Sequence, residues 1–130
     1  RVTAGACSLF VAMAEEGWVD GEIPLAVARR YLAPIFSGTD MPDTLVLGCT
    51  HFPLLARSIG AVLPPGVQIV DSAATTAAAL LRQVAPAPAG RGRVTWLATD
   101  DAARFARVGS SFLGETLRAA DIEIVDLVAA

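Results

Sequence analysis

Lysine is absent from this chain of 130 residues, and histidine occurs once, at His51. Ten arginines stand against 13 acidic groups, for a net charge of −3. The arginines are scattered, so no face gathers the clustered positive charge that a phosphate backbone requires, and nucleic acid is excluded as a partner. Cysteine is scarce too, with only Cys7 and Cys49. Two cysteines do not make a disulfide framework, so a reducing cytoplasm is the expected location. No apolar run approaches the ~18 residues of a membrane span, and no membrane association is expected. The N-terminus lacks a basic stretch followed by an apolar one, so no signal peptide is read there. Charged residues make up only 18% of the chain and hydrophobic ones 54%, many of them alanine. That composition supplies a core, and the length suits one α/β domain or part of a larger one. The chain opens on Arg1 rather than Met, in the middle of a pattern, as a piece of a longer chain would.

Helical and strand signals alternate. Ser8 is a candidate cap for a first helix carrying Leu9, Phe10, Met13 and Ala14, with Gly17 as its stop. Pro24 fits the first turn of a second helix. Leu25, Val27, Ala28, Tyr31, Leu32 and Ile35 give that helix an apolar stripe, with Arg29 and Arg30 turned away, and Ser37 to Asp40 end it. Thr44 to Gly48 is a short apolar run bounded by turn residues, which predicts a buried strand. Pro53 opens a helix to about Val62, and Val67 to Val70 form another strand. Asp71 and Ser72 cap a helix from about Ala73 to Val84. Residues 85–92, rich in Pro and Gly, read as a boundary. Beyond it lie a strand at 94–99, a helix capped by Asp100 or Asp101 and running to about Phe112, and a strand at 122–127. This order predicts an α/β fold with a mostly parallel sheet flanked by helices on both faces.

The chemistry gathers at Cys49, Thr50 and His51. Parallel α/β sheets bind ligands beyond the carboxyl ends of their strands, and Cys49 falls at such an end. A helix starting there would offer free N–H groups and the positive end of its dipole. That setting favours thiolate over thiol and attracts a carboxylate. Thr50 adds a hydroxyl, and His51 an imidazole suited to proton transfer near neutral pH. The plain alternative is an inert, packed cysteine beside a structural histidine. A zinc site is disfavoured, because two ligands without a second cluster do not make one. A Cys–His hydrolase is a further alternative, though adjacent residues rarely supply both nucleophile and base.

Gly48-Cys49-Thr50-His51-Phe52-Pro53-Leu54-Leu55 closely resembles the Gly-Cys-Thr-His-Tyr-Pro-Leu-Leu block of the glutamate racemases, in the aspartate/glutamate racemase superfamily. Phe52 stands where that block has tyrosine. Further blocks agree in order: Ala6 to Val11, the acidic Ala14-Glu15-Glu16-Gly17, Asp43 to Leu47, Val70-Asp71-Ser72-Ala73, and a C-terminal set ending in Val125-Asp126-Leu127.

The resemblance implies interconversion of L- and D-glutamate for peptidoglycan synthesis, without metal, pyridoxal or other cofactor. Two cysteines on opposite faces of the substrate would share the work. One thiolate removes the α-proton and the other thiol protonates the far face, since a single base returns the proton to the side it came from. By this resemblance Cys49 is the second cysteine of the pair, the one that deprotonates L-glutamate. Thr50 holds the substrate. His51 assists the cysteine or the substrate's ammonium group. Glu15 matches an acidic residue near that histidine, against the alternative of a solvated helix-end carboxylate. Asp71 and Ser72 are read as a structural cap, and Cys7 as a packed thiol.

The family's N-terminal blocks have no counterpart here: no Asp-Ser-Gly-x-Gly-Gly, no Ala-Cys-Asn-Thr with the first cysteine. The chain is therefore expected to be the C-terminal half of a two-domain racemase. Residues 1–88 would be the partial second domain and residues 89–130 a segment returning to the first. Its expected partners are glutamate and the missing N-terminal half, and apolar surface left bare would favour a homodimer. The isolated chain is expected to be inactive. The competing readings are an aspartate or hydantoin racemase-like protein, and a non-catalytic remnant that acts by binding.

Overall fold

The computed structural model describes residues 1–84 and 92–127. Two compact units divide the chain, Arg1–Pro86 and Ala87–Ala130. The Pro/Gly-rich stretch 85–91 lies outside the described residues.

The first unit opens with helix α1, Ser8–Glu16, and its cap corrects the sequence reading. Cys7 occupies the cap position and Ser8 is already helical, with no side-chain cap bond. The Cys7 carbonyl takes the Phe10 N–H at 3.1 Å, so the chain enters the helix one residue earlier than the Ser8 hydroxyl would require. The other end follows expectation. Gly17 turns left-handed at φ 75°. Its N–H donates to the Ala14 carbonyl at 3.2 Å, and the Trp18 N–H to the Met13 carbonyl at 2.8 Å. Glycine takes that conformation without the Cβ penalty.

Helix α2, Glu22–Leu32, buries Pro24, Ala28 and Leu32 and leaves Arg29 and Arg30 exposed, as its stripe predicts. It stops at Leu32, well short of residues 37–40. Pro34 explains the early stop: it has no N–H to give to the Arg30 carbonyl, although Ala33 before it still holds helical dihedrals.

Strands β1, Thr44–Leu47, and β2, Gln68–Asp71, run parallel, with Leu45 opposite Ile69 and Leu47 opposite Asp71. The pleat sends alternate residues to opposite faces. Leu45, Leu47 and Ile69 thus join a core of Phe10, Met13, Ala14, Ala28, Leu32, Leu55 and Ile59. The Phe10 ring meets Tyr31 and Phe52 edge-on, each at 5.3 Å between centroids. Ser58 is the one buried polar side chain among the described residues, and its hydroxyl donates to the Val19 carbonyl at 2.7 Å.

The α-helix expected from Pro53 to Val62 is instead a 3-10 turn, Phe52–Leu55, followed by a short α3, Ala56–Gly60. Pro53 cannot donate to the Cys49 carbonyl four residues back, and Phe52 N–H takes that carbonyl at 3.2 Å. Leu54 N–H bonds the His51 carbonyl at the same distance, which keeps the tighter winding. Helix α4, Ser72–Gln83, starts on the Asp71 carboxylate, which accepts the Ala74 N–H at 2.8 Å. None of its residues is buried. Val46, in the middle of β1, is 67% exposed. Helices thus cover one face of this strand pair, where the sequence led us to expect two covered faces.

The second unit pairs β3, Trp96–Ala98, parallel to β4, Ile122–Ile124. Between them lies α5, Ala102–Leu113, capped by the Asp101 carboxylate on the Arg104 N–H at 3.0 Å. Ala106 and Ile122 are its buried apolar residues, and Trp96 leans on Phe105 at 6.3 Å. The last strand is three residues long, shorter than the 122–127 expected. The fold class is α/β with parallel strands, as read from the sequence, with two two-stranded sheets among the described residues.

Candidate active site

A cleft of about 320 Å³ opens at the carboxyl ends of β1 and β2. One wall is the end of β1 and the turn after it: Leu47, Gly48, Cys49 and Thr50. The other is the end of β2 and the start of α4: Asp71, Ser72 and Thr75. In-register parallel pairing explains this meeting. Leu47 lies opposite Asp71, so the residues that follow the two strands emerge side by side. Cys49 and His51 are partly buried, and Thr50 is exposed on the wall.

His51 sits between two partners. Its Nδ1 is 3.8 Å from Cys49 Sγ, and its Nε2 is 3.4 Å from Glu15 Oε1. The His51 and Glu15 side chains are 23% and 25% exposed, so both are shielded without being sealed off. Glu15 lies on α1, far away in sequence. It arrives here because Phe10, five residues earlier on the same helix, packs edge-on against Phe52 of the turn. A carboxylate can only accept, so the proton of a neutral His51 belongs on Nε2. Nδ1 then faces the thiol as an acceptor. In that tautomer the geometry would let His51 take a proton from sulfur and return it.

The dipole expected behind Cys49 is shorter than the sequence suggested. A 3-10 turn and a five-residue helix follow it, so few peptide dipoles align there. Asp71 caps α4 as read, whereas Ser72 is the first helical residue; both also stand on the cleft wall, a placement the sequence reading did not include. Thr75 was missed altogether. Its hydroxyl donates to the Asp71 carbonyl at 2.8 Å. Its one sequence signal was its place a turn beyond the end of β2, the strand that pairs with the strand before Cys49.

Cys7 lies at the start of α1, half-buried, with Sγ 3.8 Å from the Gly5 carbonyl. Burial pushes its thiol above its ordinary value, which leaves less thiolate at a given pH. Alkylation of Cys7 at pH 8 is therefore expected to run slower than that of free cysteine. Timed labelling with peptide mass spectrometry checks this, and an equal or faster rate would contradict the packed placement. Among the described residues no three His, Cys, Asp or Glu side chains gather to hold a metal ion. No helix of the described residues is long and apolar enough to cross a membrane.

No family model matches the chain. Curated relatives do. A glutamate racemase of Geobacter metallireducens is 43% identical over 122 residues, which is 90% of this chain and 44% of the relative. The crystal structure of glutamate racemase from Thermus thermophilus in complex with β-chloro-D-alanine superposes with a TM-score of 0.72 at 39% identity, over 94% of this chain and 46% of that one. The glutamate racemase of Francisella tularensis, in complex with D-glutamate, gives 0.70 at 33% identity, over 93% and 46%. The chain spans about half the length of the curated relatives it matches. By sequence and fold together, about nine-tenths of the chain is similar to the C-terminal half of glutamate racemases.

Proposed function

We propose that this chain supplies one wall of a glutamate racemase site, with Cys49 as the proton-transfer group of that wall. The observation that carries the reading is the line from Glu15 through His51 to Cys49, at 3.4 and 3.8 Å, beside a cleft at the ends of two parallel strands. Thr50 and His51 hold the amino acid. The Cys49 thiolate takes the α-proton of L-glutamate and becomes a thiol. A thiol from the half that this chain does not match protonates the opposite face and becomes a thiolate. The reverse passage restores both. Oriented hydrogen bonds stabilise the carbanion, and no cofactor takes part. Residues 1–88 act as the second domain and 89–130 as the return to the first. D-glutamate made this way feeds peptidoglycan synthesis in the cytoplasm, and a homodimer is the expected assembly.

The test is proton exchange. The 130-residue chain, shown to be folded by circular dichroism, is incubated with L- or D-glutamate in heavy water. Loss of the α-proton signal is followed by NMR. The chain alone is expected to give no racemisation. Adding the N-terminal half of a glutamate racemase is expected to start it. Racemisation by the chain alone would overturn the need for a second wall. None by the folded, associated pair would overturn the racemase reading.

A further inference from the structure

Helix α1 begins without a side-chain bond from its cap residue, and no acidic residue stands in its first turn. The first N–H groups of a helix have no partner within it. One of them, on Leu9, is met from elsewhere: it donates to the Tyr31 hydroxyl of α2 at 3.2 Å. The Tyr31 ring meets Phe10 edge-on at 5.3 Å, and Phe10 meets Phe52 in the same way. The rings therefore run in a row from α2 through α1 to the turn that follows Cys49 and His51. The bond and the rings constrain α1 differently. Apolar contact is non-directional, so a buried face alone lets a helix slide or roll by small amounts. A hydrogen bond has a preferred length and angle. The Tyr31 hydroxyl thus sets where α1 starts along its own axis. Glu15, six residues beyond Leu9, lies about 9 Å further along that axis.

The far end of α1 has little slack. Glu15 Oε1 stands 3.4 Å from His51 Nε2. At about 3.6 Å such a contact is no longer a hydrogen bond, so a slide of roughly 0.2 Å would lose it. We propose that Tyr31 is a positioning residue: through the Leu9 N–H its hydroxyl holds α1 at the setting that keeps the Glu15 carboxylate on His51 Nε2, and so keeps Nδ1 turned to Cys49 as a proton acceptor. The inference rests on the reading of Cys49 as the proton-transfer group. Tyr31 is not among the residues that line the cleft, so it acts through Glu15 and His51 rather than on the substrate.

His51 is the only histidine of the chain, so its ring nitrogens report alone in long-range proton–nitrogen NMR spectra. At about pH 7.5 an ordinary imidazole is mostly neutral and an ordinary thiol mostly protonated. The two nitrogen shifts then give the ratio of the Nε2–H to the Nδ1–H form. In the full 130-residue chain the Nε2–H form should dominate. Tyr31→Phe keeps the ring and deletes the hydroxyl, and should lower the ratio about threefold, the order of one hydrogen bond. Leu9→Pro deletes the donor instead, at a first-turn position where proline is tolerated, and should do the same. Glu15→Ala should also lower the ratio, and adding Tyr31→Phe to it should change nothing more. A hydroxyl with a structural role alone would weaken the fold and leave the ratio in place. Circular dichroism checks folding, and where Tyr31→Phe does not fold, Leu9→Pro decides in its place. A ratio unmoved by Tyr31→Phe would overturn the proposal, and so would an equal fall with and without Glu15. With the N-terminal half of the Geobacter metallireducens racemase added, Tyr31→Phe should lower kcat for L-glutamate exchange about threefold and change KM less than about twofold. An unchanged kcat, or a loss confined to KM, would also sink the positioning role. No exchange by the parent mixture would instead sink the racemase reading, and the nitrogen spectra would still decide whether Tyr31 places Glu15.

Discussion

Cys49→Ala is expected to abolish α-proton exchange from L-glutamate in the chain complemented with an N-terminal racemase half. A positioned acid or base contributes typically ~10²–10⁴-fold, and this variant removes one outright. The loss should be unequal between enantiomers. Deprotonation of L-glutamate depends on the Cys49 face, so its exchange disappears. Deprotonation of D-glutamate begins at the opposite thiol, which remains, so some exchange into D-glutamate survives while its conversion to L-glutamate stops. Separate NMR time courses for the two enantiomers, with chiral analysis of the products, check this. Equal residual rates for both would show that Cys49 does not serve one face alone. Glu15→Ala should give an intermediate loss for L-glutamate, because it removes the acceptor that holds His51 Nε2 and leaves the thiol in place.

The second large effect is on stability. Leu55 is fully buried, at 0% exposure, in the 3-10 turn that follows Cys49 and His51. Truncating a buried leucine to alanine costs about 2–5 kcal/mol, the loss of transfer energy plus the cavity left behind. Whole domains hold only about 5–15 kcal/mol of stability. Leu55→Ala should therefore lower the melting temperature by roughly 10 °C or more, taking ~4–8 °C per kcal/mol for a unit of this size. The control is Leu81→Ala, at a position 75% exposed, which should change little in the chain alone. Thermal melts followed by circular dichroism compare the two. A Leu55→Ala melt within a degree or two of the parent would place Leu55 outside the core.

How much of this was legible beforehand depended on how local the signal was. Gly17 as a stop, Asp71 as a cap and the apolar stripe of α2 all act within one or two turns of chain, and their residue types announce them. The position of Cys49 at a strand end was equally plain from the run Thr44 to Gly48. Local competition defeated other readings: Pro34 ended α2 early, Pro53 forced a 3-10 turn, and Cys7 displaced Ser8 as the cap. Strand register was hidden, since nothing in Val67 to Val70 says that Asp71 will face Leu47. For that reason Ser72 and Thr75 went unread as walls of the cleft. The approach of Glu15 to His51 is a tertiary event between α1 and the turn. No spacing rule reaches across that distance; the family resemblance alone singled the residue out.

The edge-on contact between Phe10 and Phe52 has a practical consequence for anyone who would re-engineer this protein. Phe10 is a central core residue, and Phe52 belongs to the turn that carries Cys49 and His51. The interior and the reactive line therefore share a mechanical joint. A ring exchanged there for thermal robustness, even one of equal volume, resets the angle at which α1 presents its carboxylate to the imidazole. Screening for heat tolerance alone would select such variants blind to their tuning. The aromatic pair is best treated as part of the instrument's alignment and held constant while the rest of the interior is varied.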